Sequence, residues 1–174
     1  MKMEDIVNDS KVLYTSDEIK VGISNIADTI NEYFRDIKDS VTVLPVMKGA
    51  IPFAGYLIPQ LSFNTNIEYI HVTRYHQNIG TKDCHWIYKP NKRAVKDKVI
   101  LVMDDILDEG ITLLNIKDEL KLMGARSIVT AVLFDKKINN KKSTHADFVG
   151  LVVPNKYVYG FGLDLFNGFS MFFI

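Results

Sequence analysis

The sequence predicts an α/β protein with a doubly wound, mainly parallel sheet that carries helices on both faces. Short apolar runs typical of buried strands alternate along the chain with segments of helical periodicity. Residues 98–103, KVILVM, are apolar almost throughout, which indicates a strand covered on both faces. The chain has 174 residues and shows neither an internal repeat nor a linker, so we expect a single domain over residues 1–174.

The first helix has the clearest signal for its start. Thr15-Ser16-Asp17-Glu18 has the pattern of a capping box, in which Thr15 caps the helix and Glu18 occupies its third position. Apolar residues then recur at spacings of three and four as far as Ile37. This periodicity predicts an amphipathic helix that packs one face against the core.

The other predicted elements follow in chain order. They are a strand at 41–46, a helix from near Pro52 to near Pro59, a strand at 66–72, a strand at 98–103, a helix at 111–123 that stops at Gly124, a strand at 127–134, and strands or extended segments at 147–154 and 157–164.

Residues 73–85 are polar and lack a usable period, which predicts a long loop. Loops of this length in compact domains often act as lids over a binding site, and we expect a lid at about 73–89. His76, Cys84 and His85 fall in this stretch, but their spacing matches no common metal site.

Composition limits the possible functions. Lys plus Arg and Asp plus Glu both number 21, so the formal net charge is 0 and nothing global points to nucleic acid or an anionic membrane. The single cysteine, Cys84, excludes an internal disulfide. The first ten residues are polar, and no apolar run approaches the length of a membrane span. We therefore expect a cytoplasmic protein.

An unusual turn follows the 98–103 strand. Asp104, Asp105, Asp108 and Glu109 place four carboxylates close together, just before Gly110 and the predicted helix. Asp-rich turns also occur as helix caps or solvated turns, and one Asp would need no other explanation. Four like charges repel, however, and a divalent cation such as Mg²⁺ is the usual way to offset them.

The second half of the same turn suits an anion. Gly110 allows a close backbone approach, the amides at the start of a helix point outward, and Thr112 offers a hydroxyl group. Together the two halves suggest a sugar phosphate, whose hydroxyls would meet carboxylates and whose phosphate would meet amides.

The stretch VILVMDDILDEGITL resembles the phosphoribosyl-diphosphate-binding motif of the type I phosphoribosyltransferases. VLPVMKGAIPFAGYL resembles the Lys-Gly loop of the hypoxanthine-guanine phosphoribosyltransferases, and AVLFDKK resembles their purine-contacting lysine segment. DFVGLVVPNKYVYGFGLD resembles their base-stacking segment and hood. These matches cover most of residues 41–165 in the family's order.

The resemblance implies roles within the acidic turn. Asp104 and Asp105 would contact the ribose hydroxyls, either directly or through a Mg²⁺ ion. The two carboxylates would bind that ion directly or through water. Asp108 would lie near N7 of the purine as the acid/base group, and it is also a candidate helix cap. The 5′-phosphate would be bound by the turn and the helix start, that is by Asp108, Glu109, Gly110, Ile111 and Thr112.

Outside this turn, Lys48 and Gly49 would bind pyrophosphate, and relatives have a cis peptide before this lysine. Lys136 would donate to the oxygen at purine position 6, which favours 6-oxopurines over adenine. Arg74 and Tyr75 would form the tip of the lid.

The resemblance also implies purine contacts by residues that follow Lys136 in the chain. Phe148 would stack on the base and Val149 would present backbone groups to it, although a phenylalanine in such a strand is also typical of core packing. Asn155 stands near the base where relatives usually have Asp, and Ser170 falls near the place of a pyrophosphate-contacting arginine. Glu109 replaces a common Thr, so we expect its backbone to bind, not its side chain.

The expected function is a purine salvage transferase. It would join hypoxanthine, and guanine as a second candidate, to phosphoribosyl diphosphate, with Mg²⁺ as cofactor. A homodimer or homotetramer is implied, with a hood built from the N- and C-terminal segments. The alternative is a non-catalytic sensor of phosphoribosyl diphosphate that binds nucleic acid.

Overall fold

The computed structural model describes residues 10–74, 84–165 and 169–170. In chain order its elements are α1 (Ser16–Tyr33), β1 (Val41–Met47), α2 (Ile51–Leu57), a 3-10 turn (Ile58–Gln60), β2 (Thr65–Ile67), β3 (Ile70–Arg74), β4 (Cys84–Tyr88), α3 (Lys92–Val95), β5 (Val99–Leu107), α4 (Ile111–Leu122), β6 (Ser127–Lys137), β7 (Phe148–Pro154), β8 (Asp164–Leu165) and β9 (Phe169–Ser170).

The main sheet has the strand order β4-β3-β1-β5-β6-β7, and β2 pairs with β1 beside β3. All of these pairings are parallel except that of β3 with β4. The chain leaves β1 toward β3 and then returns to place β5 on the other side of β1. This reversal is the switch point of a doubly wound sheet, and the predicted fold class is confirmed.

Helices cover the sheet on both faces, as expected. On one face α1 and α2 pack on a core that includes Ile23, Phe53 and Leu101. On the other face α4 packs on a second core that includes Ile100 and Ile116. Because both faces are buried, the first part of the central strand β5, residues 99–103, is a continuous apolar run.

The predicted capping box is present at the start of α1. The Thr15 backbone N–H donates to Glu18 Oε2 at 2.7 Å, and the Glu18 N–H donates to Thr15 Oγ1 at 3.3 Å. The helix ends at Tyr33, earlier than the apolar periodicity predicts. Ile37 still packs against the core, because a turn in which its N–H donates to the Phe34 carbonyl continues the apolar face.

Several strand boundaries differ from the predictions. The single strand expected at 66–72 is two strands, β2 and β3. β5 and β6 extend beyond 103 and 134, so the acidic pair and Lys136 lie inside strands. Most of the extended segment expected at 157–164 is irregular, with an isolated bridge between Gly160 and Leu163.

The ends of the predicted lid are also different. The expected loop at 73–85 and lid at about 73–89 include the end of β3 and all of β4, which pair as an antiparallel ribbon. The polar stretch before β4 misled the prediction, because β4 is a short strand that is defined by its pairing with β3. Residues 75–83, including Tyr75 and His76, lie outside the described residues.

The described parts of the terminal segments meet, as a hood would require. The Tyr14 hydroxyl donates to the Val152 carbonyl at 2.6 Å, and the Tyr159 hydroxyl donates to Ser10 Oγ. The apolar tail at 171–174 lies outside the described residues. Within the described ranges, none of the helices has the length and apolar character that crossing a bilayer requires.

Candidate active site

The carboxyl ends of β1, β5, β6 and β7 lie at one edge of the sheet, and most of the predicted site residues lie there. Lys48 and Gly49 follow β1, Asp108 follows β5, Lys136 is near the end of β6, and Asn155 follows β7. Ligands of doubly wound sheets bind at this edge, beside the switch point. The topology therefore brings together segments that are far apart in sequence.

The Lys48-Gly49 loop lies directly against the acidic pair. A Cβ atom placed on Gly49 would overlap Oδ2 of Asp105, and a Cβ placed on Gly162 would overlap the Gly49 carbonyl oxygen. The Met47–Lys48 peptide bond is cis, as the resemblance implies. Gly49 is thus the point at which the β1 loop, the β5 carboxylates and the 155–163 segment meet.

Asp104 and Asp105 differ in their surroundings although they are adjacent. Asp104 is only 8% exposed, and Asp105 is half-buried. The Asp105 N–H donates to Asp104 Oδ1 at 3.0 Å, and the Ile106 N–H donates to Asp105 Oδ1 at 2.7 Å. Burial, together with the neighbouring Asp105 carboxylate, holds the pKa of Asp104 well above its ordinary value.

This pair fits a magnesium ion that a substrate brings with it. The described residues contain no cluster of three or more His, Cys, Asp or Glu side chains that could hold a metal ion alone. Mg²⁺ in phosphate-transfer sites is commonly held by one or two carboxylates together with substrate oxygens. Asp104 and Asp105 supply hard oxygen donors of this kind.

The turn between β5 and α4 has the geometry of an anion site. Gly110 has a φ of 79° and caps α4 without a side-chain hydrogen bond to the first turn. The amides of residues 111–113 have no acceptor within the helix, since the first amide that bonds back is that of Leu114, to the Gly110 carbonyl. Such amides, at the positive end of a helix, suit a phosphate group.

Asp108 and Lys136 form an ion pair across the ends of β5 and β6. Lys136 Nζ donates to Asp108 Oδ2 at 2.7 Å, with side-chain exposures of 13% and 42% for Lys136 and Asp108. A strong donor and a strong acceptor are therefore side by side at the ligand-binding edge. Two residues assigned separately by the resemblance are brought into direct contact.

Comparison with known proteins shows the family of the chain. A family model described as "Phosphoribosyl transferase domain" matches residues 13–164. A protein of Aquifex aeolicus named hypoxanthine-guanine phosphoribosyltransferase is 30% identical over 88% of this chain and 86% of its own length. The chain belongs to the hypoxanthine-guanine phosphoribosyltransferase family.

One further relative supports the same family, and one solved structure shares the fold. A Bacillus subtilis protein of the same name is 30% identical over 88% of this chain and 84% of its own. A crystal structure of a hypoxanthine-guanine phosphoribosyltransferase from Bacillus anthracis superposes with a TM-score of 0.83 at 24% identity. It covers 92% of this chain and 93% of that chain, and it shows that the fold is shared.

Phe148 and Val149, assigned to the purine through the resemblance, lie at the start of β7 and not at the carboxyl edge of the sheet. Phe148 begins β7 opposite Ala131, whereas Lys136 lies opposite Val153. Five residues of strand separate the two levels by roughly 16 Å. Phe148 packs against the core and makes an edge contact with Tyr33, so the core-packing alternative is the one the structure supports.

The segment after β7 contains an aromatic side chain that the sequence analysis passed over. Tyr157 follows Asn155 at the carboxyl edge and is 61% exposed. Its signal was available in the sequence, since ligand-binding residues of a parallel sheet lie after the carboxyl ends of strands and not at their starts.

Three other residues near the site were also missed: Asp135, Lys142 and Thr144. The Lys142 ammonium donates to Asp135 and to the Leu107 carbonyl, and Thr144 lies against Gly110. The sequence gives no sign of these contacts, because a Lys-rich loop is usually a solvated surface loop.

The remaining predicted residues lie in the acidic turn, at the start of the lid and near the C-terminus. Glu109 has its carbonyl oxygen occupied by the Ser143 N–H at 2.8 Å. Arg74 ends β3 and Ser170 ends β9, while Tyr75 lies outside the described residues. The binding role of each residue in the site remains a prediction.

Proposed function

We propose that this protein transfers the phosphoribosyl group of phosphoribosyl diphosphate to a 6-oxopurine in purine salvage. Hypoxanthine is the first candidate, giving IMP, and guanine is the second, giving GMP; pyrophosphate is the other product. The names of the relatives from Aquifex aeolicus and Bacillus subtilis support this choice. The observation that carries it is the contact between Asp108 and Lys136 at the ligand-binding edge.

A lysine donor beside a carboxylate acceptor complements one edge of a 6-oxopurine. That edge presents the oxygen at position 6, which accepts a hydrogen bond, next to N7, which carries a proton in one tautomer of the free base. Lys136 would donate to the oxygen while Asp108 accepts from N7–H. Adenine presents an amino group at position 6, so Lys136 would face a donor and lose its partner.

The sugar diphosphate would be held at three places. The amides of residues 111–113 with the Thr112 hydroxyl would bind the 5′-phosphate, and the Lys48-Gly49 loop would bind the pyrophosphate group. Asp104 and Asp105 would hold the ribose hydroxyls and Mg²⁺, directly or through water. When bound, the cation offsets the negative charge that develops on the departing pyrophosphate.

The chemical step exchanges one bond at C1 of the ribose for another. The N9 lone pair forms the new bond to C1, and the C1–O bond breaks with its electron pair leaving on pyrophosphate. Asp108 takes the proton from N7, which restores a neutral purine ring. The protein contributes mainly orientation and electrostatic stabilisation of a cationic sugar.

Tyr157, which follows β7 at this edge, is our candidate for stacking on the purine. Its ring is exposed on the segment whose Gly162 packs on the Gly49 loop, so the segment borders the site. An exposed aromatic ring can bury one face against a base. This replaces Phe148 in that role.

An initial-rate assay tests the function. The protein is incubated with phosphoribosyl diphosphate, Mg²⁺ and each of hypoxanthine, guanine, xanthine and adenine, and pyrophosphate release is measured. We expect turnover with hypoxanthine and very little with adenine; absence of turnover with every base would contradict the proposal. Lys136→Met should reduce the preference for hypoxanthine over adenine, while Lys137→Met, at the exposed neighbour, should leave it unchanged.

We further propose a cytoplasmic homodimer or homotetramer. Exposed apolar side chains on β2 and β4, among them Ile67 and Ile87, are candidates for an interface. Light scattering on the purified chain measures the mass directly, and a monomer at micromolar concentration would contradict this part of the proposal.

A further inference from the structure

Three consecutive residues of the β6–β7 connection lie along the phosphate-binding turn, and we call Lys142–Thr144 the brace. Lys142 Nζ donates to the Leu107 carbonyl at 2.8 Å, and the Ser143 N–H donates to the Glu109 carbonyl at 2.8 Å. A Cβ atom on Gly110 would lie 2.9 Å from the Thr144 carbonyl oxygen and 3.0 Å from its nitrogen. The brace therefore follows the turn from its first residue to the helix cap.

Lys142 also connects the two strand ends that carry the Asp108–Lys136 pair. Its ammonium group donates to Asp135 as well as to Leu107, and its side chain is only 9% exposed. Leu107 immediately precedes Asp108, and Asp135 immediately precedes Lys136. One nearly buried cation thus connects the backbone of the residue before Asp108 with the side chain of the residue before Lys136.

A lysine is well suited to this position. A carbonyl oxygen and a carboxylate both need donors there, and an ammonium group offers three. Burying either acceptor without a partner would be unfavourable. The contacts of Ser143 and Thr144 are made by the main chain, so Lys142 is the member of the brace whose side chain determines its position.

We propose that Lys142 is a positioning residue for the transferase reaction, and the proposal rests on the function proposed above. The brace keeps the turn at 107–110 in the conformation that binds the 5′-phosphate, and it keeps Asp108 at a fixed distance from Lys136. Lys142 itself does not touch the substrate. A misplacement of about 1 Å in such a site can reduce turnover on the order of a hundredfold.

The first test compares Lys142→Met with Lys141→Met, which removes an exposed charge from the preceding residue. In Lys142→Met we expect a tenfold or greater rise in the inhibition constant of IMP, which carries the 5′-phosphate. The inhibition constant of inorganic pyrophosphate, which uses the Lys48-Gly49 loop, should change less than twofold. Equal changes for both inhibitors would reduce Lys142 to a general structural role and overturn the proposal.

A second variant removes the unpaired carboxylate that Lys142→Met leaves behind. Asp135→Asn/Lys142→Met has no unpaired charge, so it should regain thermal stability while the weakened IMP inhibition persists. If the double variant regained both thermal stability and IMP inhibition, the loss in Lys142→Met would come from the unpaired charge alone. That result would overturn the positioning role. Lys142→Arg, which keeps the charge, should bring the inhibition constant of IMP part of the way back to the wild-type value.

Amide hydrogen exchange tests the brace without relying on activity. Exchange of the Ser143 amide, which donates to the Glu109 carbonyl, and of the Leu114 amide, which donates to the Gly110 carbonyl, should accelerate at least tenfold in Lys142→Met and in the double variant, but not in Lys141→Met. If the wild-type protein shows no transferase activity while this pattern appears, the proposed function fails and the brace stands. Unchanged exchange in an active enzyme contradicts the brace alone.

Discussion

The acid/base role that we propose for Asp108 concerns a carboxylate that is paired with a lysine. Its Oδ2 lies 2.7 Å from Lys136 Nζ. A bound purine would replace this contact with one hydrogen bond to each of the two side chains. We expect Asp108→Asn to lower kcat by a factor on the order of a hundred or more, with little change in KM for phosphoribosyl diphosphate.

Steady-state kinetics with hypoxanthine measures this effect. Asp118→Asn, on the exposed face of α4, is the control for loss of one carboxylate from the same region. Equal losses in kcat and in sugar-diphosphate affinity would remove the acid/base role from Asp108 and leave it as part of the phosphate turn.

We expect the charged Asp104 side chain to lower the stability of the fold and to strengthen ligand binding. A carboxyl group whose pKa is raised by folding holds its proton more tightly in the folded state, so ionisation opposes folding. The free energy of unfolding therefore falls as pH rises from about 4, the ordinary pKa of Asp, through the raised folded-state pKa. Asp104→Asn should melt at a higher temperature than the wild type at neutral pH.

Thermal melts across a pH series check the sign. The difference between Asp104→Asn and the wild type should shrink toward pH 4, where both side chains are neutral. The same variant should bind the magnesium complex of phosphoribosyl diphosphate more weakly. A variant that is less stable at every pH would show that the hydrogen bond that the Asp104 carboxylate accepts from the Asp105 N–H outweighs the cost of burying its charge.

At the scale of elements, the junction of β5 and α4 depends on a glycine. Gly110 has a positive φ, and the Thr144 backbone leaves no room for a Cβ atom. Gly110→Ala should lower the free energy of unfolding by about 1–2 kcal/mol, the usual penalty for a left-handed alanine, and should also weaken phosphoribosyl diphosphate binding.

Gly55→Ala is the matched control in α2, because nothing lies within 4 Å of the added Cβ atom. It should stabilise the helix by about 0.5–1 kcal/mol and leave the KM values unchanged. Denaturant unfolding measures both variants. If Gly110→Ala kept wild-type stability and affinity, the turn would not need its observed backbone conformation.

The two ends of β7 should respond differently to substitution. Tyr157→Leu, at the carboxyl end, removes an exposed ring and should raise KM for hypoxanthine on the order of tenfold with little effect on stability. Phe148→Leu, at the other end, reduces core packing and should lower the melting temperature without changing that KM. The reverse pattern would return the stacking role to Phe148.

At the scale of the whole molecule, the ligand should stabilise the fold by linking separate segments. A ligand at a hundred times its Kd contributes about 2.7 kcal/mol. For a domain of this size that corresponds to a rise in melting temperature of about 5–10 °C. We expect this rise with phosphoribosyl diphosphate and Mg²⁺, and a clearly smaller one when a chelator replaces the metal.

Mg²⁺ without the sugar diphosphate is the control for this measurement. Since the described residues offer the ion two carboxylates, it should shift the melting temperature little by itself. A large shift with Mg²⁺ alone would indicate a resident metal site, and equal shifts with and without the chelator would contradict the cofactor assignment.

Local sequence signals predicted most elements where the physics is local. The capping box at Thr15 and the strand at 41–46 depend on neighbouring residues, and both are confirmed. The ends of β5 and β6 were placed too early, because polar residues interrupt the apolar runs at Asp104 in β5 and at Asp135 in β6. Pairing with neighbouring strands continues both strands beyond these residues. β4 was missed because it is only five residues long and follows a polar stretch, and its strand conformation depends on pairing with β3.

The sequence by itself determined the fold class, the family and the location of the acidic turn, because apolar periodicity and a contiguous motif are properties of the chain. Only the tertiary structure decided which distant residues meet. In the structure, Asp108 contacts Lys136, Lys142 bonds to both Leu107 and Asp135, and Phe148 lies away from the site. The physical reason is that strand register, which no short motif encodes, determines which residues reach the ligand-binding edge.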